Sequence, residues 1–379
     1  MDALRREADG GLRNAREAAA QPISFANART LADVFEPKDN NFDAIRLFAA
    51  LLVLFSHCYP LTGTPKEPIA AYLGAYDTGG GWGVAIFFVI SGFLVTRSVL
   101  DRPTSVYLRS RALRILPALI FVTLFEVLVI GPLFTSLSMR EFFTHSTTIA
   151  HLKNVSVFWL EQSLPGTFAF NPAKEQVNGS IWTLPIESAF YLILPILGAL
   201  TLLCRGRILI VLGLMGAWLA YGVLQLGWHW GNQGPWIFSG GPAFTVIKEA
   251  VFFLSGSCLW VYRDRVPMSG GLAVCCLLLL VVFAWFEFRF VAMAIALPYL
   301  VIYAATALPL RFPLYSKIGD FSYGAYLFAF PIQQAVIAVH GGVIAPVTLA
   351  LISAPVTLGF AALSWYLVER PALAIRYGR

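Results

Sequence analysis

Ten stretches of the chain are almost free of charge and long enough, at about 20 residues, to cross a ~30 Å hydrocarbon layer as helices. They run over residues 42–61, 82–100, 113–134, 181–203, 208–228, 244–262, 271–288, 290–309, 319–339 and 343–367. The pattern predicts an all-α integral membrane protein of about ten transmembrane helices in one bundle. No segment reads as a separate soluble domain, and no repeat is apparent. An even number of spans puts both termini on one side. The segments on that side carry most of the 27 lysines and arginines, and only Lys66, Arg140, Lys153, Lys174, Lys248 and Arg289 fall opposite. This bias predicts cytoplasmic termini. Residues 1–40, basic but without an apolar core, are expected to be a cytoplasmic extension rather than a signal peptide. Residues 41–371 would form the membrane domain and 372–379 a short cytoplasmic tail. The longest outer connection, about 135–180, contains SLPGTFAFNPAKEQVNGS. Its glycines, prolines and asparagines predict turns and a partly re-entrant cap.

Composition narrows the class. The 379 residues are 58% hydrophobic and 13% charged, with a mean hydropathy of +0.71. A soluble domain carries about a quarter charged residues, so a soluble enzyme and a nucleic-acid-binding module are both excluded, and the lipid bilayer is the first partner. The five cysteines (Cys58, Cys204, Cys258, Cys275, Cys276) lie in or beside apolar runs without paired spacing. They read as small buried hydrophobes, and no metal site is expected. Nothing in the pattern bears on oligomeric state.

Against this background the polar residues inside the spans stand out, because an unpaired polar group in hydrocarbon is costly. AIRLFAALLVLFSHCYP holds Arg46 and His57 with ten residues between them. At 1.5 Å per residue His57 lies roughly 16 Å above Arg46, at or just beyond mid-membrane. Counted from Trp82, Ser91 lies about 13 Å below the outer boundary; counted from Trp182, Glu187 lies roughly 8 Å below it. Gln333 and Gln334 lie about 20 Å up from Gly319. These depths are compatible with one cavity. Blander roles stay open: a lone histidine can satisfy itself on a backbone carbonyl, a Ser-Gly pair can serve close helix packing, and glutamines can tie helices together. On the other side, YLRSRALRILP brings Arg109, Arg111 and Arg114 together at the start of the third span. Topology alone accounts for basic residues there. The i,i+3 pair Arg111/Arg114 shares a helix face, and planar guanidinium groups suit phosphate.

The combination resembles the integral-membrane acyltransferase-3 family. The matching stretches, in order, are NFDAIRLFAALLVLFSH, GVAIFFVISGFL, RSRALRILP, IWTLPIESAFYLILP, GDFSYGAYLFAFPIQ and YLVERP, over about residues 41–371. The resemblance implies O-acylation of cell-surface glycans with acyl-CoA, usually acetyl-CoA, as cytoplasmic donor, in the bacterial inner membrane. His57 matches the family's essential histidine and Arg46 its partner arginine. Arg111 and Arg114 match the pair associated with coenzyme A, with Arg109 and Ser91 as further donor-side candidates. Glu187 matches the motif glutamate. Trp182, Tyr191 and Gln333, within the same motifs, are candidates for substrate binding. Where many members place a histidine before the aromatic-proline pair, this chain has Ala329. On this reading His57 is the general base and Glu187 the carboxylate that orients or assists it, with a surface polysaccharide or other glycan as acceptor. The competing class is a transporter or flippase for a glycan or lipid-linked sugar, which would also show polar groups at mid-depth and proline-broken spans. The one-sided arginine cluster and the lack of two similar halves weigh against it.

Overall fold

The computed structural model describes residues 29–72, 77–203, 208–227, 236–238, 241–286, 289–308 and 319–375. A helix forms in each of the ten predicted segments. They are α1 (Phe42–Leu61), α2 (Gly79–Asp101), α3 (Thr104–Phe125), α4 (Thr183–Leu203), α5 (Ile208–Gly227), α6 (Ala243–Val261), α7 (Gly270–Phe283), α8 (Arg289–Thr306), α9 (Ser322–Val339) and α10 (Pro346–Ser364). Two of them run on past a single π-helical turn: α3 through Glu126–Ile130 to Phe134, and α10 through Trp365–Glu369 to Ile375. Among the described residues eight helices are long and apolar enough to cross a membrane; the apolar stretches in α5 and α7, Ile210–Gly222 and Gly270–Phe283, are shorter. The protein is thus an all-α membrane protein, apart from a two-residue-register ribbon pairing Trp236–Phe238 with Gly241–Pro242.

Small residues set the helix spacing. A Cβ on Gly92 of α2 would lie 1.8 Å from the Phe253 carbonyl oxygen of α6, and one on Gly256 would lie 2.1 Å from the Val89 oxygen. The two backbones touch, as close membrane-helix contacts require. Large aliphatic side chains such as Leu192, Ile196, Leu219, Leu277 and Leu351 point outward, as expected where lipid is the solvent. Helix α3 begins at Thr104 behind Pro103, earlier than the expected 113, so Arg109, Arg111 and Arg114 all belong to it.

The connection between α3 and α4 is a packed cap with its own apolar cluster of Val127, Ile130, Phe142, Leu164, Phe168 and Val177. Its end descends into the bundle: Tyr326, in the second turn of α9, donates to the Ser180 carbonyl at 2.7 Å. The sequence-based depth of Glu187 is corrected by this contact. That depth assumed α4 starts at the outer boundary, whereas α4 starts inside the bundle, near the end of α9 that carries Asp320. Glu187 therefore sits much closer to the arginines than a depth of 8 Å implies.

Candidate active site

A cavity opens between α1, α2, α3, α4 and α9. Arg46, Ser91, Arg111, Arg114, Glu187 and Tyr191 all line it. At its carboxylate, one oxygen of Glu187 accepts two hydrogen bonds. The Ser91 hydroxyl of α2 donates to Oε1 at 2.8 Å, and Tyr191, one turn along α4, donates to the same atom. Tyr107 of α3 donates to the Tyr191 carbonyl at 2.9 Å, fixing α4 against α3. The Ser91–Gly92 pair thus serves both readings at once: the glycine packs against α6 and the serine faces the cavity.

The arginines divide by their partners. Arg114 donates to Asp320 and lies 3.9 Å from Glu369. Arg46 bridges Asp43 at 3.3 Å and Asp320 at 3.4 Å. Asp320 is itself held by the amide and hydroxyl of Ser322. Arg111 has no carboxylate partner among the described residues; it donates to Ser110 Oγ at 3.4 Å and sits 5.6 Å from the centre of the Tyr191 ring. The expected arginine pair is split: one guanidinium is committed to two carboxylates and the other is open to an anion. Arg109 leaves the site, lying exposed and donating to the Ile375 carbonyl at 3.4 Å.

His57 is placed apart from this cavity, which corrects the expectation of one shared space. Tyr326 lines the cavity and bonds Thr183 at 2.8 Å. One turn further along α9, Phe330 meets the half-buried His57 ring edge-on, with centroids 5.4 Å apart. The Nδ1 of His57 is buried without a hydrogen-bond partner. Glu187, already bonded to Ser91 and Tyr191, is not paired with it. Gln333 is fully buried, its amide donating to the Leu54 carbonyl at 2.7 Å and Cys58 Sγ at 2.9 Å. Gln334 ties the cap down, donating to the Ala173 and Gln176 carbonyls at 2.7 and 2.6 Å. Trp182 packs against the core rather than lining the cavity.

Several residues were missed by the sequence reading. Asp320 and Glu369 lie inside two motifs already singled out, GDFSYG and YLVERP, and an acid at a span boundary was the available signal. Glu126 and His151 are buried partners at 2.8 Å. No spacing rule links residues that far apart. Among the described residues no group of histidine, cysteine and acidic side chains is arranged to hold a metal ion.

Fold and cavity together define a multi-pass α-helical membrane protein with a polar chamber inside its bundle. The chain belongs to the acyltransferase-3 family, whose acyltransferase domain matches residues 39–367. It is similar to the O-acetyl transferase of Shigella phage Sf6, with 30% identity over 338 residues, 88% of this chain and 96% of that protein. It is also similar to Nodulation protein 10 of Rhizobium leguminosarum bv. viciae, with 29% identity over 361 residues, 89% and 94% of the two chains. No solved structure matches it. Family membership makes the protein a membrane acyltransferase.

Proposed function

We propose that the protein is an O-acetyltransferase of the bacterial cytoplasmic membrane, moving an acetyl group from cytoplasmic acetyl-CoA to a hydroxyl of an extracytoplasmic or lipid-linked glycan. The observation that carries the reading is the cavity itself, which joins the carboxylate-free Arg111 to the Ser91–Glu187–Tyr191 cluster. The similarity to a phage protein named an O-acetyl transferase supports the acyl group and the oxygen acceptor.

Arg111 binds a phosphate of the donor as a bidentate fork, while Arg114 and Arg46 stay paired with Asp320 and are not consumed by the ligand. The pantetheine arm lies along Ser91 and Glu187, whose polar atoms satisfy its amides. Beyond Tyr326 and Thr183 the thioester meets His57. There the acceptor hydroxyl oxygen attacks the thioester carbon and His57 takes its proton. The carbon–sulfur bond then breaks and the thiolate leaves with that proton. Glu187 polarises the passage rather than orienting His57, because its bonds are made elsewhere.

Two measurements test the reading. Labelled acetyl-CoA incubated with purified protein and membranes should give alkali-labile O-acetyl label on glycan. The O-acetyl content of surface glycans should fall when the gene is deleted and return with the wild type but not with His57→Ala. A stably expressed His57→Ala protein with full transfer would end the general-base assignment.

A further inference from the structure

The interface between α1 and α9 contains two buried polar atoms with no partner: Nδ1 of His57 and Oε1 of Gln333. Leaving a buried polar atom unbonded is costly, and in a membrane core no bulk water relieves it. Both atoms belong to the same contact. Gln333 donates its two amide hydrogens to Leu54 and Cys58, on the turn of α1 that carries His57. Phe330, one turn before Gln333, packs on the His57 ring. With both hydrogens committed to α1, the amide orientation is set and only its oxygen remains to be satisfied. That oxygen accepts and never donates.

The geometry points to Gln333 as the positioning residue of His57: in the working enzyme its Oε1 accepts the Nδ1 proton, directly or through one water. This inference rests on the reading of His57 as base and adds what holds it. Acceptance at Nδ1 selects the tautomer with its proton there, leaving the Nε2 lone pair to receive the acceptor's proton. A neutral amide does so without the charge a carboxylate would bring. The surroundings agree. Among the described residues no acid or base pairs with His57, and α9 and α10 carry no Asp, Glu, Lys, Arg or His within Ser322–Val339 and Pro346–Ser364. The titratable side chains next to it on α1 are Cys58 and Tyr59, and Glu67 lies against Gly79 at the start of α2. Gln333 is therefore assigned to His57 and not to the acceptor, whose route its full burial excludes.

The test compares Gln333→Met and Gln333→Glu in the full-length protein, reconstituted and assayed with acetyl-CoA and its glycan acceptor. Gln333→Met is expected to lower kcat at least about tenfold while the KM for acetyl-CoA stays within about twofold. Gln333→Glu, placing a carboxylate on Nδ1, favours the protonated ring, so the acid limb of the pH–rate profile moves to higher pH. Thermal melting in detergent with acetyl-CoA present reports folding separately. A Gln333→Met protein with wild-type melting and wild-type kcat would overturn the assignment, as would a Gln333→Glu profile superimposable on wild type. If His57→Ala retains activity, the base assignment itself fails; if His57→Ala is dead and Gln333→Met is fully active, only the positioning role fails.

Discussion

At the scale of single residues, the arginines show how similar side chains reach different roles through their partners. Arg114 lies between Asp320 and Glu369, and Glu369 is almost fully buried. Replacing Arg114 by Gln leaves the buried Glu369 without a cation and Asp320 with Arg46 alone. The loss is expected to be roughly 3 kcal/mol, the usual scale for an uncompensated buried charge, visible as a lower melting temperature and reduced yield. Arg111→Gln removes no ion pair, so the fold should keep its melting temperature. Its effect should appear instead as a KM for acetyl-CoA raised about tenfold or more, because a phosphate contact to a guanidinium contributes about 1.5–3 kcal/mol. Equal effects on stability and KM in both variants would remove the distinction. The sequence marks the two arginines as an i,i+3 pair on one face but does not join Arg114 to Asp320 and Glu369, which lie more than two hundred positions away. Their shared helix face was legible in the sequence; their separate partners were not.

At the scale of elements, helix existence and order were readable because hydrophobic length alone decides them in a bilayer. Helix starts were less so. The start of α3 at Thr104 follows from Pro103 and from Tyr107 being fully buried against α4, a tertiary contact that outweighs the local run of arginines. The depth of α4 was misjudged for a related reason: the cap before it packs inward, and no count of residues along a helix registers that. Helix contact is where glycine matters most. Gly92→Ala would drive a methyl group against the Phe253 carbonyl at 1.8 Å, forcing α2 from α6 and tilting Ser91 away from Glu187. Overpacking of this kind costs typically 1–3 kcal/mol, and the cavity should lose donor binding along with stability. Gly216 of α5 has nothing within 4 Å of an added Cβ. Gly216→Ala should therefore melt at or slightly above wild type, since alanine is the better helix former by about 1 kcal/mol.

At the scale of the whole molecule, the cap, the outer part of α3 and α9 are joined by one buried polar knot. Glu126, in the π-helical turn of α3, accepts from Asn178 at 2.6 Å on one oxygen and meets His151 at 2.8 Å on the other. Asn178 also donates to the Leu327 carbonyl of α9 at 3.0 Å. The other ring nitrogen of His151 faces the Ser163 carbonyl at 3.0 Å, an acceptor only, so Nδ1 carries a proton. A further proton then lies between Nε2 and the Glu126 carboxyl. The knot needs that proton, not a net charge. Glu126→Gln reproduces it, with the amide oxygen accepting from Asn178 and the amide nitrogen donating to Nε2. It should therefore fold and transfer acetyl groups near wild-type rates. Glu126→Leu and His151→Phe leave unbonded polar partners in a fully buried site, at roughly 1–3 kcal/mol for each. In those two the cap should loosen while the arginine-lined end of the cavity is untouched. Limited proteolysis from the outer face should cut within 135–180 faster than in wild type, with acetyl-CoA binding retained and transfer reduced. A Glu126→Gln protein as protease-sensitive as Glu126→Leu would show that the knot depends on charge, and the proton-sharing account would have to be abandoned.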